Sequence, residues 1–448
     1  RYRIPVDRDD AIFVIKPRGY RFPLDELGLP RFYYIHKPDG SPTGLEHAGV
    51  TPTGPLPETI DFPLTGHPEP ETFEVLLLGD PQVRDETDLA YHARDVVDEL
   101  IGIEVAFGMM LGDLAYDDLS IYPTLNGLMA EVGLPWINVH GNHDLNFDVR
   151  SDALSDETWE RVYGPSSWSF DWGPVHFVIL DDVIYEGNPE TQSYRAGLGR
   201  EPLTFLEADL ARVDPERLVV IAMHIPLHDF ADADRAAFFE RLSGFDRVLV
   251  LTAHWHVQMH AFFDREAKPP VHQLVQATAC GSWWLGAPDP FGIPHTTMRD
   301  GAPNGYSIVH FDGNDYRIEF VPLGLPRDAQ MHVSLPALLD SEDAGGREVL
   351  INVYAGSPHS TVELRLDGGA WQRAEPLKDR VAPRYAEILE RERKLDHARR
   401  KLPDPVPSPH LWRGTLPGSL DPGSHLLEVR TTDMFGQVHW DRRTFVVR

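Results

Sequence analysis

Two short apolar runs in the first third of the chain each lead into a glycine turn that carries metal-ligating side chains. They are residues 105–111 and 136–139, and the turns that follow them are Gly112-Asp113 and Gly141-Asn142-His143-Asp144. An apolar run of this length predicts a buried strand, and open α/β sheets bind their ligands at the carboxyl ends of strands. One such turn is weak evidence, because Gly-Asp and Gly-Asn pairs commonly end strands. Two in succession predict an α/β sheet with a functional site at its edge.

The pattern of a buried strand with a polar end recurs through the middle of the chain. Further apolar runs lie at residues 73–78, 175–180, 218–223 and 248–251, and the polar residues after them are Asp80 and Gln82, Asp181 and Asp182, His224, and His254 and His256. Segments with helical spacing separate these runs, at residues 87–101, 121–132 and 202–213. Strands that alternate with helices predict a layered, mostly parallel α/β architecture.

Changes in composition divide the chain into three predicted domains. Residues 1–67 alternate like short strands and contain proline- and glycine-rich connections, which indicates a partial N-terminal β-domain and a linker. Residues 68–326 carry the α/β pattern. Residues 327–448 alternate in strand fashion around a charged helical segment at 384–402, which indicates a C-terminal β-sandwich-like domain with an inserted helix.

Charge and composition exclude several kinds of partner. The 448 residues have a formal net charge of −29, so duplex DNA and anionic membranes would repel the chain. No apolar run reaches the roughly 20 residues of a transmembrane helix, and the single Cys280 excludes an intramolecular disulfide. The chain begins with arginine rather than methionine, which indicates a processed or cut N-terminus and favours a periplasmic or secreted location. The oligomeric state is left open.

Taken in order, the polar strand ends resemble the calcineurin-like metallophosphoesterases. The family pattern runs D-x-H, G-D, G-N-H-[DE], H and G-H-x-H, and the matching residues here are Asp80 with Gln82, Asp113, Asn142 with His143 and Asp144, His224, and His254 with His256. The stretches FYYIHKPDGSP, GDLAYDDLS and MRDGAPNGY resemble a bacterial branch with an N-terminal transthyretin-like domain and a C-terminal β-domain. The resemblance implies an α/β core of two packed mixed sheets flanked by helices, with small β-domains at both ends.

The same resemblance implies a pair of metal ions, divalent or of mixed valence, with manganese, iron and zinc as the candidates. By this analogy Asp113 bridges the ions, the first ion is also held by Asp80, Gln82 and His256, and the second by Asn142, His224 and His254. Oxygen and imidazole ligands together suit these metals. Gln82 departs from the family pattern, in which a histidine is usual, and its amide oxygen is a weaker and harder donor.

The resemblance also implies the reaction, the hydrolysis of phosphoric esters. A water or hydroxide held between the two ions attacks phosphorus in line. His143 stabilises the phosphoryl oxygens or protonates the leaving group, and Asp144 orients the ring of His143. The expected substrate is a small phosphorylated molecule. Monoesters and diesters both stay open, with diesters and small phosphorylated metabolites favoured.

Two alternatives accompany this interpretation. The stretch GDLAY also matches the G-D-x-x-Y of purple acid phosphatases, in which Tyr116 would bind ferric iron. Those enzymes supply no ligand at the position of Gln82, so its presence favours Tyr116 as a wall residue that contacts substrate. The other alternative is a non-catalytic scaffold that binds protein or glycan through its β-domains, with ordinary turn residues and core histidines at the strand ends.

Three further residues are candidates for substrate contact. His228 follows His224 by four positions and either lines the pocket or belongs to a solvated loop. The adjacent Trp283 and Trp284 lie in a loop rich in glycine and proline, at residues 280–306. They either form an aromatic rim that grips a leaving group or pack between domains.

Overall fold

The computed structural model describes residues 3–294, 296–395 and 401–448, which form two compact units. The first unit contains the chain up to Trp255 together with Phe262–Leu274 and Ile308–Arg317. The second contains His256–Ala261, Val275–Ser307 and Ile318–Arg448. The division into three domains at residues 67 and 326 stays a prediction.

The α/β part of the chain runs to Pro322 and consists of short strands and helices. Its strands are β1 (Asp10–Phe13), β2 (Tyr20–Arg21), β3 (Tyr33–His36), β4 (Thr65–Gly66), β5 (Thr72–Leu78), β6 (Phe107–Met110), β7 (Trp136–Asn138), β8 (Trp168–Trp172), β9 (Val175–Ile179), β10 (Val183–Tyr185), β11 (Tyr194–Ala196), β12 (Val219–Ala222), β13 (Val248–Thr252), β14 (Met259–Arg265), β15 (Lys268–Val275), β16 (Gly305–Asp312) and β17 (Asp315–Pro322). Its helices are α1 (Glu86–His92), α2 (Asp98–Leu100), α3 (Tyr122–Ala130), α4 (Glu157–Tyr163), α5 (Arg200–Leu210) and α6 (Asp232–Arg241). A π-helical turn, Ala93–Val97, joins α1 to α2, and 3-10 turns lie at Leu119–Ile121 and Asp152–Leu154.

Two mixed sheets organise these elements. One has the strand order β17-β16-β5-β6-β7 and the other β14-β15-β13-β12-β9-β8. The strands β5, β6 and β7 are parallel to one another, as are β9, β12 and β13. The residues of β6, β12 and β13 are almost all apolar and fully buried, as expected for parallel strands covered on both faces. The predicted α/β fold is confirmed, and its parallel strands bring their polar carboxyl ends to one edge of each sheet.

The strand register explains why the predicted site residues can meet. Leu78 pairs with Met110, and Met110 pairs with Asn138, so the last residues of β5, β6 and β7 lie side by side. The chain then turns within a few residues after each of these strands. Side chains that are far apart in sequence therefore emerge close together at this edge of the sheet.

The helices of the α/β part are short and amphipathic. On α5, the buried Leu206 and Leu210 are four residues apart and face the core, where they join Phe238 of α6 and Ile221 of β12. No helix within the described residues has the length and apolar character needed to cross a membrane. Helix α5 therefore packs on its sheet through one apolar stripe.

The second unit ends in a β-sandwich. Its further elements are β18 (Met331–Ser334), β19 (Leu338–Leu339), β20 (Glu348–Val353), β21 (Thr361–Leu366), β22 (Gln372–Arg373), β23 (Glu375–Pro376), β24 (Leu411–Thr415), β25 (Gly423–Thr432), β26 (Val438–Val447), α7 (Ser341–Ala344) and α8 (Pro383–Glu392). The sheet orders are β18-β20-β24-β23 and β19-β26-β25-β21-β22. Ile351 of the first sheet shares one buried core with Leu364 and Val429 of the second. The β-domain predicted at the C-terminal end is confirmed.

The inserted helix is shorter than the predicted 384–402. Helix α8 ends at Glu392, residues 396–400 lie outside the described part of the chain, and Leu402 is not helical. Leu402 returns to pack on Ile388 and Leu389, and its N–H donates to the Glu392 carboxylate at 3.3 Å. The charged composition predicted a longer helix, because helix propensity reflects local sequence and does not include the packing of Leu402 against the helix.

A buried ion pair attaches the N-terminal segment to the six-stranded sheet of the first unit. The side chains of Lys16 and Glu69 are fully buried, and Lys16 Nζ donates to Glu69 Oε1 at 2.7 Å. The other oxygen of Glu69 accepts the N–H groups of Gly19 and Gly173, and the Lys16 carbonyl accepts the N–H of Asp171. Burial lowers the pKa of Lys16, an effect that its bond to Glu69 opposes. Each charge therefore depends on the other.

We expect Lys16→Met to lower the free energy of unfolding by about 3–5 kcal/mol, because it leaves the Glu69 carboxylate buried without a cation. Chemical denaturation of the purified variant measures this loss. The double variant Lys16→Met/Glu69→Gln recovers part of it. As a control, Lys268→Met removes an exposed pair with Asp246 and costs at most about 1 kcal/mol. Equal stabilities of Lys16→Met and Lys268→Met would contradict the prediction.

Candidate metal centre

The turns after β6 and β7 meet at the carboxylate of Asp113. Its Oδ1 accepts the backbone N–H of His143 at 2.9 Å, and its Oδ2 accepts Nε2 of Gln82 at 3.2 Å. This approach requires a glycine at position 141, since a Cβ there would lie 2.1 Å from Asp113 N and 2.4 Å from its Oδ1. Glycine at position 141 therefore allows the turn after β7 to contact the turn after β6.

His224 directs its Nε2 atom toward this carboxylate. Its Nδ1 lies 2.8 Å from the Leu111 carbonyl oxygen, which can only accept, so Nδ1 carries the proton. The Nε2 atom lies 3.2 Å from Asp113 Oδ1, 3.1 Å from Asn142 Oδ1 and 3.2 Å from His254 Nδ1. Burial disfavours a charged ring, but the Asp113 carboxylate outweighs it and raises the pKa of His224 to about 10. The surroundings therefore favour positive charge at this point.

Two buried features hold His224 in place. Asp182 accepts the backbone N–H groups of His224 and Ile225, at 3.1 and 2.8 Å. At Gly112, whose φ is +91°, a Cβ would lie 2.3 Å from His224 Nδ1. Burial raises the pKa of Asp182 to about 7. Asp182 thus acts on the backbone of the loop.

The converging atoms fit a metal ion. Ligand atoms of Asp113, His224 and His254 lie within 4.8 Å of one another, and Asn142 Oδ1 adds an amide oxygen. Carboxylate and amide oxygens have no proton to donate, and burial lowers the pKa of His254 to about 3, which keeps its ring neutral. A divalent cation satisfies all four lone pairs at once, and this mixture of oxygen and imidazole suits manganese, iron or zinc.

Asp80 and Gln82 lie on the other side of Asp113. Asp80 is fully buried, burial raises its pKa, and its Oδ2 accepts the backbone N–H of His254 at 3.0 Å. Gln82 turns its amide nitrogen toward Asp113, so its oxygen ligates only if the amide rotates by about half a turn. The first unit thus brings together every predicted ligand that it contains.

Four of the predicted ligands in the first unit share an uncommon backbone conformation. Asp80, Gln82, Asp113 and His254 have φ values of 35°, 42°, 52° and 66°. A side-chain-bearing residue in this left-handed region costs of order 1–3 kcal/mol and clusters at functional sites. Backbone strain is therefore concentrated at the strand ends that carry these ligand side chains.

His256, predicted as a ligand of the first ion, lies in the second unit. Its Nδ1 donates to the carbonyl of Gly281 at 2.7 Å, which leaves Nε2 in the unprotonated form that binds metals. Its ring stacks on Trp283 with centroids 3.9 Å apart. Trp284 is only 3% exposed, so the predicted rim of two tryptophans is corrected: Trp284 is a core residue and Trp283 alone is half-buried.

Asp300 supports the loop of His256 and was not singled out from the sequence. Its Oδ2 accepts the backbone N–H of Gln258 at 2.8 Å and Nε2 of His410 at 2.9 Å, and its Oδ1 accepts the N–H of Ala302 at 3.0 Å. Asp300 and His410 have no exposed side-chain surface. The two are separated by 110 residues, so no local pattern could reveal the pair.

The carboxylate that orients His143 is Asp117, which corrects the prediction of Asp144. His143 Nδ1 lies 2.6 Å from Asp117 Oδ1, and about a quarter of the His143 side chain is exposed, 23%. Burial disfavours its charged form, but Asp113 and Asp117 outweigh this and raise the pKa of His143. A partly exposed imidazole held by a carboxylate can deliver a proton to a bound ligand.

Asp144 instead ties two turns together. It is fully buried and accepts the N–H groups of Leu114, Ala115 and Gly141 and the hydroxyl of Tyr122. Burial, with Asp113 nearby, raises the pKa of Asp144 to about 6. Adjacency in sequence to His143 suggested contact, but successive residues of the turn point in opposite directions.

Comparison with known families decides the assignment. Residues 73–258 match the family described as calcineurin-like phosphoesterase, and residues 273–439 match the C terminal of calcineurin-like phosphoesterase. The chain belongs to the calcineurin-like phosphoesterases. It is a phosphoric ester hydrolase, and the predicted superfamily is confirmed. No curated protein matches the sequence significantly.

Three solved structures resemble this phosphoesterase at low identity. "Structure of PhoD" is 12% identical, with 65% of this chain and 73% of that chain covered and a TM-score of 0.43. Purple acid phosphatase PPD1 from yellow lupin (Lupinus luteus) is 13% identical, with 58% and 55% covered and a TM-score of 0.41. The 5'-nucleotidase from Candida albicans is 12% identical, with 56% and 51% covered and a TM-score of 0.33. The assignment rests on the family matches and not on these structures.

Two tyrosines flank the centre of the phosphoesterase. The ring of Tyr116 stacks on His143 with centroids 4.5 Å apart and also contacts the Arg84 guanidinium at 4.4 Å. Tyr194, which the sequence did not single out, lies 6.4 Å from the His254 ring. Burial, followed by the charge of Asp113, raises the pKa of Tyr194 to about 12. Tyr194 lies on a hairpin strand, where no motif marks it.

His228, the remaining candidate for substrate contact, stands in an aromatic group. Its ring lies 5.3 Å from Trp255 and 4.9 Å from Phe263. Trp255 is fixed by a 2.6 Å hydrogen bond from its Nε1 to Asp229. Burial of the ring lowers the pKa of His228. A role of His228 toward substrate stays a prediction.

We expect Gly141→Ala to lower both metal content and activity, because its Cβ would collide with Asp113 N and Oδ1. A displacement of about 1 Å can cost about 100-fold in rate. Elemental analysis of the purified protein and turnover of an aryl phosphate measure the two effects. Gly127→Ala is the control, since a Cβ on that helical glycine meets nothing within 4 Å. A fully metallated, fully active Gly141→Ala variant would sink the prediction.

We expect Asp117→Asn to lower kcat by about 10- to 100-fold at unchanged metal content, because the amide holds the His143 ring less firmly. Steady-state kinetics and elemental analysis separate this effect from loss of a ligand. Asp118→Asn is the matched control, because Asp118 accepts the N–H of Ser120 at an exposed turn and pairs with His47 at 3.8 Å rather than with His143. Loss of metal from Asp117→Asn would show that the residue acts on the ligands instead.

Proposed function

We propose that this phosphoesterase hydrolyses its substrate at a pair of metal ions bridged by Asp113. The observation that carries the proposal is the convergence of Asp113 Oδ1, Asn142 Oδ1 and His254 Nδ1 on Nε2 of His224. The proposed ligands of the first ion are Asp80, Gln82 and His256, and those of the second are Asn142, His224 and His254. The ions, manganese, iron or zinc, supply Lewis acidity and lower the pKa of the attacking water.

His143 is the proposed acid of the reaction. Its protonated ring stabilises charge on the phosphoryl oxygens or donates its Nε2 proton to the departing oxygen. Asp117 supports the charged ring from the Nδ1 side. Since the His143 side chain is partly exposed, a ligand in the site can contact it directly.

The proposed substrate is a small phosphorylated molecule, with diesters favoured over monoesters. A diester carries one negative charge near neutral pH and a monoester up to two, so acidic surroundings disfavour the monoester more. Asp117 lies beside His143 and Asp229 beside Trp255, which adds negative charge near the site. The net charge of −29 opposes long polyanions as well.

Paired assays on the metal-reconstituted full chain test this function. We expect turnover of bis(4-nitrophenyl) phosphate to exceed that of 4-nitrophenyl phosphate, and both activities to disappear after chelation. Asp113→Asn is expected to lose metal and activity together. His143→Ala is expected to keep its metal while losing about 100- to 10,000-fold in kcat.

The outcomes separate the alternatives. Activity that survives complete metal removal would contradict the proposal, and a preference for the monoester would overturn only the substrate class. An absorbance scan of the iron-loaded protein addresses Tyr116. A visible charge-transfer band that Tyr116→Phe abolishes would favour the purple-acid type, which the position of Tyr116 beside His143 keeps open.

A further inference from the structure

Two tryptophans, Trp371 and Trp440, lie next to a network of ion pairs on the β-sandwich of the second unit. The apolar Val362, Leu364 and Val429 face the sandwich core, so the alternate positions on β21, β25 and β26 face outward. In the strand register Glu363 pairs with Arg430, and Arg430 with Trp440. The next row pairs Arg365 with Glu428, and Glu428 with Arg442. We call this outer face, with Trp371 over it, the Trp371–Trp440 surface.

Two arginines of this surface, Arg365 and Arg430, are held in place. Arg365 Nε donates to Glu428 at 2.7 Å, and Arg430 Nε donates to Glu363 at 2.8 Å. The ring of Trp371 rests on both guanidinium groups, 4.5 and 4.3 Å from its centroid. Ordering these side chains in the unbound protein reduces the entropy that a ligand must overcome.

Trp440 borders a shallow cavity on this surface. Its ring meets Trp371 edge-on, with centroids 5.5 Å apart, and 47% of the residue is exposed. The cavity has a volume of about 580 Å³ and is lined by Asp328, Arg365, Glu428, Trp440, Asp441 and Arg442. An exposed tryptophan beside fixed polar groups is typical of binding sites rather than of ordinary surface.

The carboxylate of Asp441, at the edge of this cavity, is tied to its own strand. Its Oδ1 accepts Arg443 Nη1 and the backbone N–H of Arg442, both at 2.6 Å. Its Oδ2 is buried and has no hydrogen-bond partner among the described residues. Because this oxygen is buried, it is not available to a ligand in the cavity.

We propose that the Trp371–Trp440 surface binds a neutral polysaccharide. The C–H face of a sugar ring stacks on Trp440, and its hydroxyl groups donate to Asp328 and accept from Arg442. Hydroxyls both donate and accept, which matches a lining that mixes carboxylates with guanidinium groups.

Other ligand classes fit this lining less well. Three carboxylates, Asp328, Glu428 and Asp441, outnumber two guanidinium groups, so a phosphate, a nucleic acid or an acidic glycan would be repelled. An apolar protein segment would find one aromatic wall and no aliphatic side chain in the cavity. A neutral, hydroxyl-rich polymer is not repelled by the carboxylates and does not need aliphatic contacts.

Affinity electrophoresis of the full chain tests the proposal. The protein migrates through native gels that contain galactomannan, xyloglucan, mixed-linkage β-glucan, xylan or dextran. We expect one or more of these polymers to retard it, and we expect Trp440→Ala to raise the dissociation constant at least about tenfold. Val446→Ala, an exposed change on the same face of β26, is the matched control and keeps full retardation.

Circular dichroism and thermal denaturation of Trp440→Ala, compared with the parent chain, verify that the sandwich of the variant is folded. The proposal is overturned if none of the neutral polymers retards the protein, or if Trp440→Ala is retarded as strongly as the parent chain. Retardation by dextran sulfate without retardation by dextran would assign the surface to anions and would also overturn it.

Discussion

The buried carboxylate of Asp113 is the group on which the rest of the site depends. Three loops end within hydrogen-bond distance of it, and they bring the backbone of His143, the amide of Gln82 and the ring of His224. A buried charge of this kind is stable only when opposite charge or several donors surround it. Burial opposes its ionisation, but the imidazoles, above all His224, lower its pKa. The surroundings of Asp113 therefore stabilise a cation next to its ionised carboxylate.

Geometry at this centre is maintained by backbone choices more than by side-chain packing. Gly112 and Gly141 permit contacts that a single methyl group would prevent, and the ligands occupy left-handed conformations. Supporting carboxylates then act on the backbone: Asp144 joins the turns after β6 and β7, and Asp182 holds the loop of His224. Because these carboxylates bind the backbone, the ligand side chains stay available for metal ions. The backbone strain at the ligands costs free energy, which the buried parallel strands offset.

The second unit follows a different physical logic. Its sandwich buries aliphatic side chains between two sheets, while one outer face carries arginines locked by glutamates beneath Trp371. Alternation along β21 and β25 made the strands predictable, because a period of two separates the core face from the solvent face. Which outward residues would meet across strands was not predictable, since it depends on register.

The sequence by itself determined the α/β class, the sandwich at the C-terminal end, the family and the candidate ligand set, because apolar periodicity and short strand-end motifs are local properties of the chain. Only the tertiary structure decided that Asp117 rather than Asp144 orients His143, that Trp284 is buried, and that Tyr194 and Asp300 lie at their sites. These facts depend on which way a turn directs its side chains and on contacts between distant segments. Neighbouring side chains in a tight turn can differ in whether they are buried or exposed, and no local sequence pattern predicts which one is buried.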